Sequence, residues 1–458
     1  MNPTTTEAPR QVWMRRLVGA NAAEQTFRVV LVLSLAVFVR VGRRQWFIRD
    51  DWAFLLNRPL MREQHGNATW LFTAQDGHWM TPPLVVYRAI QNVIGFESYW
   101  PYLVPTMALH ILAVVLVRRI CHRHGVSPWT TTVLSSLLLL FGSGWEDIVF
   151  AIQIVYNVSL VAFLAHLLLV DHDGPVDRRD AIGAVLGVLS IMSSGFGPFF
   201  MFGVAMFLGL RRRWRAMAIA VVPQGVLYGW WWLTWGADPV GATSPHSLSG
   251  AARYARLGLT ATLNGMTGQV LFAGAALLGI VAMCWWKGNS WERRSVLIAL
   301  CSSVLVMFLG IGFQRAGLGL ESATVSRYQY MAAMLLVPAV GLAVDRLAAF
   351  DRRALLLAQL LLAVSALQNT RLLVRSSDDW ADRAAASRQL FELVAGDPAS
   401  ATADESLRID RFNPDVTVGD ARRLAADGII TARLPATDEE RSLVVAVLAG
   451  TPVGDAGG

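Results

Sequence analysis

The sequence has few charged residues for its length. Of its 458 residues, 16% are charged, whereas soluble globular chains carry about 25%. Lysine is almost missing, because the 40 basic residues include only one lysine, Lys287. This lack of charge, together with apolar runs long enough to cross a bilayer, excludes a soluble globular protein and predicts a polytopic membrane protein.

Cysteine is also scarce. Cys121, Cys284 and Cys301 lie in or beside apolar runs, at spacings that fit neither a metal cluster nor a disulfide framework. The first apolar run lacks a small-residue cleavage site, so we expect it to remain as a membrane anchor. The net charge of +7 does not indicate nucleic acid as a partner, because the arginines sit at the ends of the apolar runs, where membrane lipids are the expected contacts.

Arginine-rich clusters separate the apolar runs and predict the topology. They lie at Arg10 to Arg16, Arg118 to Arg123, Arg178-Arg179, Arg211 to Arg215, Lys287 to Arg294 and Arg346 to Arg353. By the positive-inside rule these loops face the cytoplasm. The apolar runs then predict an all-α fold with about eleven membrane helices. These are near residues 27–45, 100–118, 127–143, 153–170, 181–194, 196–210, 214–236, 263–286, 295–313, 328–345 and 353–370.

The same pattern divides the chain into three parts. We expect a cytoplasmic N-terminus over residues 1–26, a multi-pass domain over 27–370 and a small extracytoplasmic C-terminal region over 371–458. The odd number of helices places the C-terminus outside the cytoplasm. The use of arginine in place of lysine indicates a high-GC bacterial genome, so a bacterial plasma membrane is the expected location. Residues 379–394 and 417–427 have the pattern of two amphipathic helices.

A break in the chain, Ser193 to Pro198, separates two apolar runs that are each too short for a straight span. We expect its backbone to be packed in protein or to line a cavity.

The first outer loop, residues 46–99, carries the most suggestive polar residues. Asp50 and Asp51 follow directly on the first apolar run, and Asp76 and His78 come later in the loop. Charged groups near a bilayer are costly unless they function or are paired. The alternative to a functional site is a polar stop in which Arg49 is the partner. The run 84–94 is too short to span and predicts a helix in the outer interface.

Two further outer segments carry charges that the topology does not explain. Glu146 and Asp147 lie in a short outer turn, and Arg327 and Tyr328 open a late apolar run. Arginine is under-used on the outer side of membranes, and its planar guanidinium binds phosphate oxygens two at a time. Plain alternatives are an acidic turn for the first pair and a helix boundary for Arg327.

Several of these motifs together resemble a known enzyme superfamily. They are the Asp-Asp pair after the first helix, the step Pro82-Pro83-Leu84, and Arg327-Tyr328 opening a late helix that contains Pro338. The arrangement resembles the C-type (GT-C) superfamily of polyprenyl-phosphate-sugar-dependent glycosyltransferases, most of all its protein O-mannosyltransferase and lipid A aminoarabinose transferase branch. The order of the motifs also resembles multi-pass membrane proteins of actinobacteria.

The resemblance implies a function in the cell envelope and a role for each motif. The enzyme would move a sugar from a polyprenyl-phosphate donor to an extracytoplasmic acceptor. An acidic residue of the first loop, Asp51 in preference to Asp50, would be the general base. We expect the substrate to be bound by Arg327, His78, Asp76, Tyr328 and Gln153. Glu146 and Asp147, with Asp51, would share a divalent cation, Mg²⁺ or Mn²⁺.

The sequence departs from that branch at two points. Residues His78 to Thr81 stand where the branch often has Glu-Lys or His before Pro-Pro, and the C-terminal region is short. The short region argues against a bulky polymer as acceptor.

Other functions remain open at this point. A transporter or flippase of lipid-linked intermediates is one, although a rocking transporter carries matching broken helices in two halves, and only the break at 193–198 is present. A non-catalytic scaffold of the same fold is another. Some polar and aromatic residues also have structural interpretations: His78 as a hydrogen-bonded histidine, Asn157 and His166 as helix–helix contacts, and Trp230 to Trp232 with Trp235 as an aromatic belt or a sugar platform.

Overall fold

A computed structural model describes residues 19–236 and 247–454 of the chain. The arginine cluster Arg10 to Arg16 and most of the predicted cytoplasmic N-terminus lie outside the described residues. Within the described part the fold is all-α, with only isolated β-bridges between extended residues.

The α-helices have the following bounds: Ala20–Gly42, Asp50–Trp52, Arg58–Phe72, Thr81–Ile94, Trp100–Arg123, Pro128–Leu139, Glu146–Val149, Ile154–Val170, Arg178–Ile191, Gly197–Leu210, Trp214–Thr234, Leu248–Thr267, Val270–Trp285, Trp291–Arg315, Ser326–Arg346, Arg352–Gly396, Val418–Ala426 and Asp438–Leu448. A π-helical turn covers Ala53–Asn57, and 3₁₀ turns include Gly142–Gly144 and Ala151–Gln153.

Seven helices in the described residues are long and apolar enough to cross a membrane, and Gly197–Leu210 and Ala273–Trp285 are shorter apolar helices. The prediction of an all-α polytopic membrane protein is therefore confirmed. Each predicted apolar segment except 263–286 overlaps mainly one helix, although several of these helices are shorter than the ~20 residues that a straight span needs. The number of eleven crossings stays a prediction.

One predicted segment, 263–286, differs from the structure. Two helices, Leu248–Thr267 and Val270–Trp285, meet there. Gly268 ends the first of them in the left-handed conformation (φ 73°), which a glycine adopts without steric cost. The continuous apolar pattern did not reveal this turn.

The break Ser193 to Pro198 behaves as expected. Ser193 and Ser194 are completely buried, and Pro198 opens the next helix in its first turn, where its missing N–H costs nothing. The backbone of the break is therefore packed in protein.

The first loop contains more structure than one interfacial helix. The predicted helix is present as Thr81–Ile94, but a further helical segment, Arg58–Phe72, precedes it and is kinked at Gly66 (φ 85°). The buried Arg58 closes the segment between them by donating to Trp70 O (3.2 Å) and Thr73 O (2.9 Å). The loop is therefore a folded unit built on the end of the bundle.

The C-terminal region begins as the continuation of the last membrane helix. Arg352–Gly396 is one helix of 45 residues, about 68 Å long at 1.5 Å per residue. The amphipathic helix predicted at 379–394 is therefore the last part of this longer helix, and its apolar residues are buried as expected: Trp380, Leu390, Phe391 and Leu393. The second predicted helix is present as Val418–Ala426, with Thr417 in a capping box.

Helix Trp100–Arg123 shows that the two ends of the bundle differ in chemistry. At its start, Tyr99 donates to Asp51 of the first loop. At its end, Arg123 and His124 contact Asp171, which also faces Arg211. A cavity of about 230 Å³ lies among these ion pairs. Arg123, His124 and Arg211 in its lining are paired with Asp171 and Asp173, and these ion pairs connect the loops at this face of the bundle.

Candidate functional site

A second cavity lies at the end of the bundle that carries the first loop. It is lined by Asp50, Phe54, Gln75, Asp76, His78, Met80, Ile152, Gln153, Val155, Tyr156, Arg315 and Arg327. We call this cavity the outer pocket. It brings together the predicted residues Asp50, Asp76, His78, Gln153 and Arg327, which are distant in sequence.

The adjacent residues Asp50 and Asp51 face different environments. Asp50 is exposed, lines the outer pocket and has no hydrogen-bond or ion-pair partner among the described residues. Asp51 is completely buried and is not part of the lining. Asp50 is therefore the carboxylate of the pair that a bound molecule would meet.

The buried carboxyl of Asp51 joins three parts of the fold. Its oxygens accept hydrogen bonds from Tyr87 Oη (2.8 Å), Tyr99 Oη (3.0 Å) and Ile48 N (3.2 Å). Tyr99 Oη in turn accepts from Ala151 N (2.9 Å). Asp51 thus connects the start of the first loop to its interfacial helix, to the start of the second membrane helix and, through Tyr99, to the second loop.

Asp76 and His78 reach the outer pocket through a tight turn. Gln75 and His78 exchange both backbone hydrogen bonds (3.0 and 2.9 Å), and Asp76 and Gly77 both have positive φ (51° and 76°). This is the signature of a two-residue Asp-Gly hairpin turn. The dipeptide was a signal in the sequence for a turn that would display its flanking residues on one side.

His78 packs against the break in the membrane helices. A Cβ atom at position 195 would overlap the imidazole of His78, so only glycine leaves room there. His78 Nδ1 is buried and has no hydrogen-bond partner among the described residues. Burial, and then the charges of Arg315 and Arg327, lower the pKa of His78 to about 3. The ring is therefore neutral and offers one donor and one acceptor nitrogen.

Two arginines give the outer pocket its positive charge. Arg327 lies 3.6 Å from Glu146 Oε2, a long ion pair, and its guanidinium lies 5.6 Å from the ring centroid of Tyr328. Arg315 has no ion-pair partner among the described residues. Arg315 was not predicted from the sequence, although it is also an arginine at the outer end of an apolar run, which is the signal that identified Arg327.

Glu146 and Asp147 lie inside the protein and not on an exposed outer turn. Glu146 is 9% exposed and Asp147 is fully buried, with neither carboxyl oxygen of Asp147 hydrogen-bonded to a described residue. Burial, and then the charge of Glu146, raise the pKa of Asp147 well above its usual range. Asp147 is therefore a buried carboxyl without a hydrogen-bond partner among the described residues, and Glu146 is the partner of Arg327.

The predicted shared metal site does not fit this arrangement. The oxygens of Asp51 are occupied by three donors, and a cation at Glu146 would compete with Arg327. Among the described residues, a group of three close potential ligands occurs only at His172, Asp177 and Asp180, where Arg213 contacts both His172 and Asp180. The divalent cation stays a prediction from the resemblance, and we derive no step through it.

Of the remaining predicted residues, one lines the outer pocket and the others pack inside the protein around it. Gln153 lines the outer pocket with a buried Oε1 that has no partner among the described residues. Tyr328 is 5% exposed and packs edge-on against Phe196, outside the lining. Asn157 makes the helix contact that we expected, by donating to Thr106 O.

The tryptophan cluster is mainly a packing element. Trp231 is fully buried, stacks on Trp79 at 5.4 Å and donates to Phe72 O. Trp230 and Trp232 are exposed on the outside of the bundle, which suits an aromatic belt. The stack fastens the first loop to helix Trp214–Thr234.

We predict that Asp51 makes stability depend on pH. Burial raises its pKa from 3.8 to about 7, so the folded state binds a proton that the unfolded state releases between these values. Stability should therefore fall as pH rises from about 4 to about 7 and be flat above. Asp51→Asn removes this titration and should show a smaller fall in apparent melting temperature over the same range.

The exposed Asp379→Asn is the matched control and should follow the wild-type pH curve. If the Asp51→Asn and wild-type curves run parallel from pH 4 to pH 8, the Asp51 carboxyl does not titrate in this window.

No family model matches the sequence, and no curated protein matches it. The fold, in contrast, matches solved structures. ArnT from Cupriavidus metallidurans bound to undecaprenyl phosphate aligns with a TM-score of 0.52 and 11% identity, over 93% of this chain and 88% of that chain. The apo structure of the same protein aligns with a TM-score of 0.53 and 11% identity, over 95% and 90%. The chain thus has the fold of ArnT, and at the level of the fold the resemblance to the C-type glycosyltransferases is confirmed.

Proposed function

We propose that this protein is a membrane glycosyltransferase of the C-type kind, which moves a sugar from a polyprenyl-phosphate donor to an extracytoplasmic acceptor. The observation that carries the proposal is the outer pocket, which holds two arginines and an unpaired carboxylate in a chain with the ArnT fold. Undecaprenyl phosphate, the lipid bound in one ArnT structure, is the model for the lipid part of the donor.

Transfer requires one bond to form and one to break. The acceptor hydroxyl oxygen attacks the anomeric carbon of the sugar, the bond from that carbon to the phosphate oxygen breaks, and its electron pair leaves with the lipid phosphate. The hydroxyl proton goes to a base. A positioned base contributes roughly 10²–10⁴-fold to such a step.

Asp50 is the best candidate for this base. It is exposed in the outer pocket and has no competing partner among the described residues, whereas both oxygens of Asp51 already accept hydrogen bonds. The order of preference that the sequence suggested is therefore reversed: Asp50 accepts the proton, and Asp51 anchors the loop that carries it. Asp76 is a second pocket carboxylate that is suited to orienting hydroxyl groups.

Arg327 and Arg315 are suited to holding the donor phosphate. The leaving lipid phosphate gains negative charge as the bond breaks, and a guanidinium stabilises that charge through paired N–H donors. The long 3.6 Å pair with Glu146 keeps Arg327 oriented while leaving donors for the phosphate. The neutral His78 adds hydrogen-bonding capacity without further charge.

The proposal includes an orientation in a bacterial plasma membrane. The loops with Arg123, Arg211 and Arg293 meet around one cavity at the end of the bundle opposite the outer pocket. By the positive-inside rule that end is cytoplasmic. The N-terminus is then cytoplasmic, and the outer pocket and the C-terminal region are extracytoplasmic.

We predict that Asp50→Asn reduces sugar transfer by about 10²–10⁴-fold while donor binding is kept, because asparagine has a similar size but cannot take up a proton. The measurement is transfer from radiolabelled polyprenyl-phosphate sugars by purified protein in lipid vesicles, with binding of undecaprenyl phosphate measured separately. Asp379→Asn, an exposed change on the last helix, is the control and should leave both quantities unchanged.

Arg327→Ala should differ from Asp50→Asn in the same assay. It removes charge-assisted hydrogen bonds of about 1.5–3 kcal/mol, so undecaprenyl phosphate should bind roughly tenfold to a hundredfold more weakly. Arg441→Ala in the C-terminal region serves as the matched control. Wild-type turnover in both Asp50→Asn and Asp51→Asn would remove the first loop from the chemistry. Movement of lipid-linked sugar across the bilayer without transfer would favour a flippase instead.

We also predict the side of the membrane on which the C-terminal region lies. Alkaline phosphatase fused after Ala449 should be active, since that enzyme needs an oxidising compartment to form its disulfides. A fluorescent reporter that matures only in the cytoplasm should be dark at the same position. The opposite pair of results would invert the proposed orientation.

A further inference from the structure

The backbone at Arg49 has a conformation that a side chain disfavours. Its dihedral angles are φ 53° and ψ −123°, and the turn is closed by a hydrogen bond from Asp51 N to Ile48 O (3.3 Å). This is the first central position of a type II′ turn, where glycine is strongly preferred. Such outliers persist only when surrounding contacts enforce them, and they cluster at functional sites.

The contacts that enforce this turn come from the C-terminal region. Asn413 Oδ1 accepts a hydrogen bond from Arg49 N at 2.6 Å. The guanidinium of Arg49 lies 4.9 Å from the ring centroid of Phe412. A segment more than 360 residues away in sequence therefore holds Arg49, the residue that precedes Asp50, through a hydrogen bond and a cation–π contact.

Asn413 is itself held in one orientation. It is fully buried, and its Nδ2 donates to Ser387 Oγ (2.8 Å) and to Asp410 Oδ2 (2.6 Å). Ser387 Oγ donates to the same Asp410 oxygen at 2.6 Å. Because the amide nitrogen is fixed by these two partners, the amide oxygen points at Arg49 N.

The conformation of the turn at Arg49 determines which carboxylate lines the outer pocket. With Arg49 at positive φ, Asp51 enters the buried network of Tyr87 and Tyr99, while Asp50 stays exposed in the lining. A second contact supports the same loop, because Asp415 Oδ1 accepts from Asn57 Nδ2 at 2.6 Å. Asn57 ends the π-helical turn Ala53–Asn57, a local distortion that is frequent at functional sites.

We propose that Asn413 is a positioning residue for Asp50, so that the C-terminal region completes the outer pocket instead of forming a separate extension. Asn413 acts by holding Arg49 in the turn that aims the Asp50 carboxylate. This inference rests on the proposed function in so far as Asp50 is the base, but the turn can be tested without any transfer.

The first arm of the experiment measures transfer by the purified full chain in vesicles. Asn413→Ala removes the acceptor for Arg49 N and should lower kcat by about 10–100-fold, since a shift of about 1 Å in a reacting group has an effect of that order. Binding of undecaprenyl phosphate should stay near the wild-type value, because the hydrogen bonds of Asn413 go to residues other than Arg315 and Arg327.

The decisive comparison is a pair of second-site changes in the Asn413→Ala background. Arg49→Gly removes the strain at positive φ, so the turn should form without the hydrogen bond from Arg49 N to Asn413, which we call the clamp. With the turn restored, kcat should recover. Arg49→Ala removes the same guanidinium and its contact with Phe412 but keeps the Cβ atom, so kcat should stay low. Equal recovery by both changes, or by neither, overturns the positioning role.

The second arm does not depend on activity. Hydrogen–deuterium exchange should be faster at the amides of Asp51 and Trp52, which bond to Ile48 O and Arg49 O, in Asn413→Ala than in the wild type. It should return toward the wild-type rate with Arg49→Gly but not with Arg49→Ala. If the wild-type protein transfers no sugar, the proposed function is wrong. The exchange pattern then still shows whether Asn413 holds the Arg49 turn. Unchanged exchange in Asn413→Ala overturns the positioning role.

A milder variant covers the case in which Asn413→Ala does not fold. Ser387→Ala removes one of the two partners of the Asn413 amide nitrogen, keeps the other, Asp410, and leaves the acceptor oxygen in place. It should give a smaller loss of kcat and a smaller rise in exchange, with the same difference between Arg49→Gly and Arg49→Ala. Absence of that difference counts against the proposal.

Discussion

Three hydrogen bonds to one buried carboxyl group hold the outer end of this protein together. Tyr87, Tyr99 and Ile48 N donate to Asp51, and Tyr99 passes the connection to Ala151 N. If this carboxyl group stayed buried but lost these partners, each unsatisfied polar group would reduce the stability of the fold by about 1–3 kcal/mol or more. The positions of the interfacial helix, the second loop and the Asp50 turn all depend on this one anchor.

The hydrogen bonds to Asp51 and the contact of Asn413 with Arg49 give two identical neighbouring side chains, Asp50 and Asp51, different roles. Asp51 is fixed inside the protein, and Asp50, one residue earlier, lines the outer pocket together with Arg315 and Arg327. Neutral His78 adds no charge there. The outer pocket therefore combines the carboxylates of Asp50 and Asp76 with two arginines, and the proposed proton abstraction beside a departing phosphate requires this combination of a base and positive charge.

The sequence predicted what depends on local composition. Apolar runs predicted the helices, and an arginine on the outer side predicted Arg327 in the pocket. Features set by long-range contacts were not predictable. Nothing in Asp50-Asp51 indicates which carboxyl is buried, because Asn413 and Tyr99 decide it. The topology placed Glu146 and Asp147 in a short outer turn, but packing buries Asp147 completely. The continuation of the last membrane helix to Gly396 was hidden by the change to polar composition.

In the proposed mechanism, one pocket holds both the donor phosphate and the base. A cryo-electron microscopy structure of the protein with undecaprenyl phosphate in a lipid nanodisc would show whether it does. We expect phosphate density within about 3 Å of the Arg327 guanidinium, with Arg315 on the same side and the Asp50 carboxylate facing the space beside it. Phosphate density at the opposite end of the bundle, among Arg123, Arg211 and Arg293, would exclude the outer pocket as the donor site.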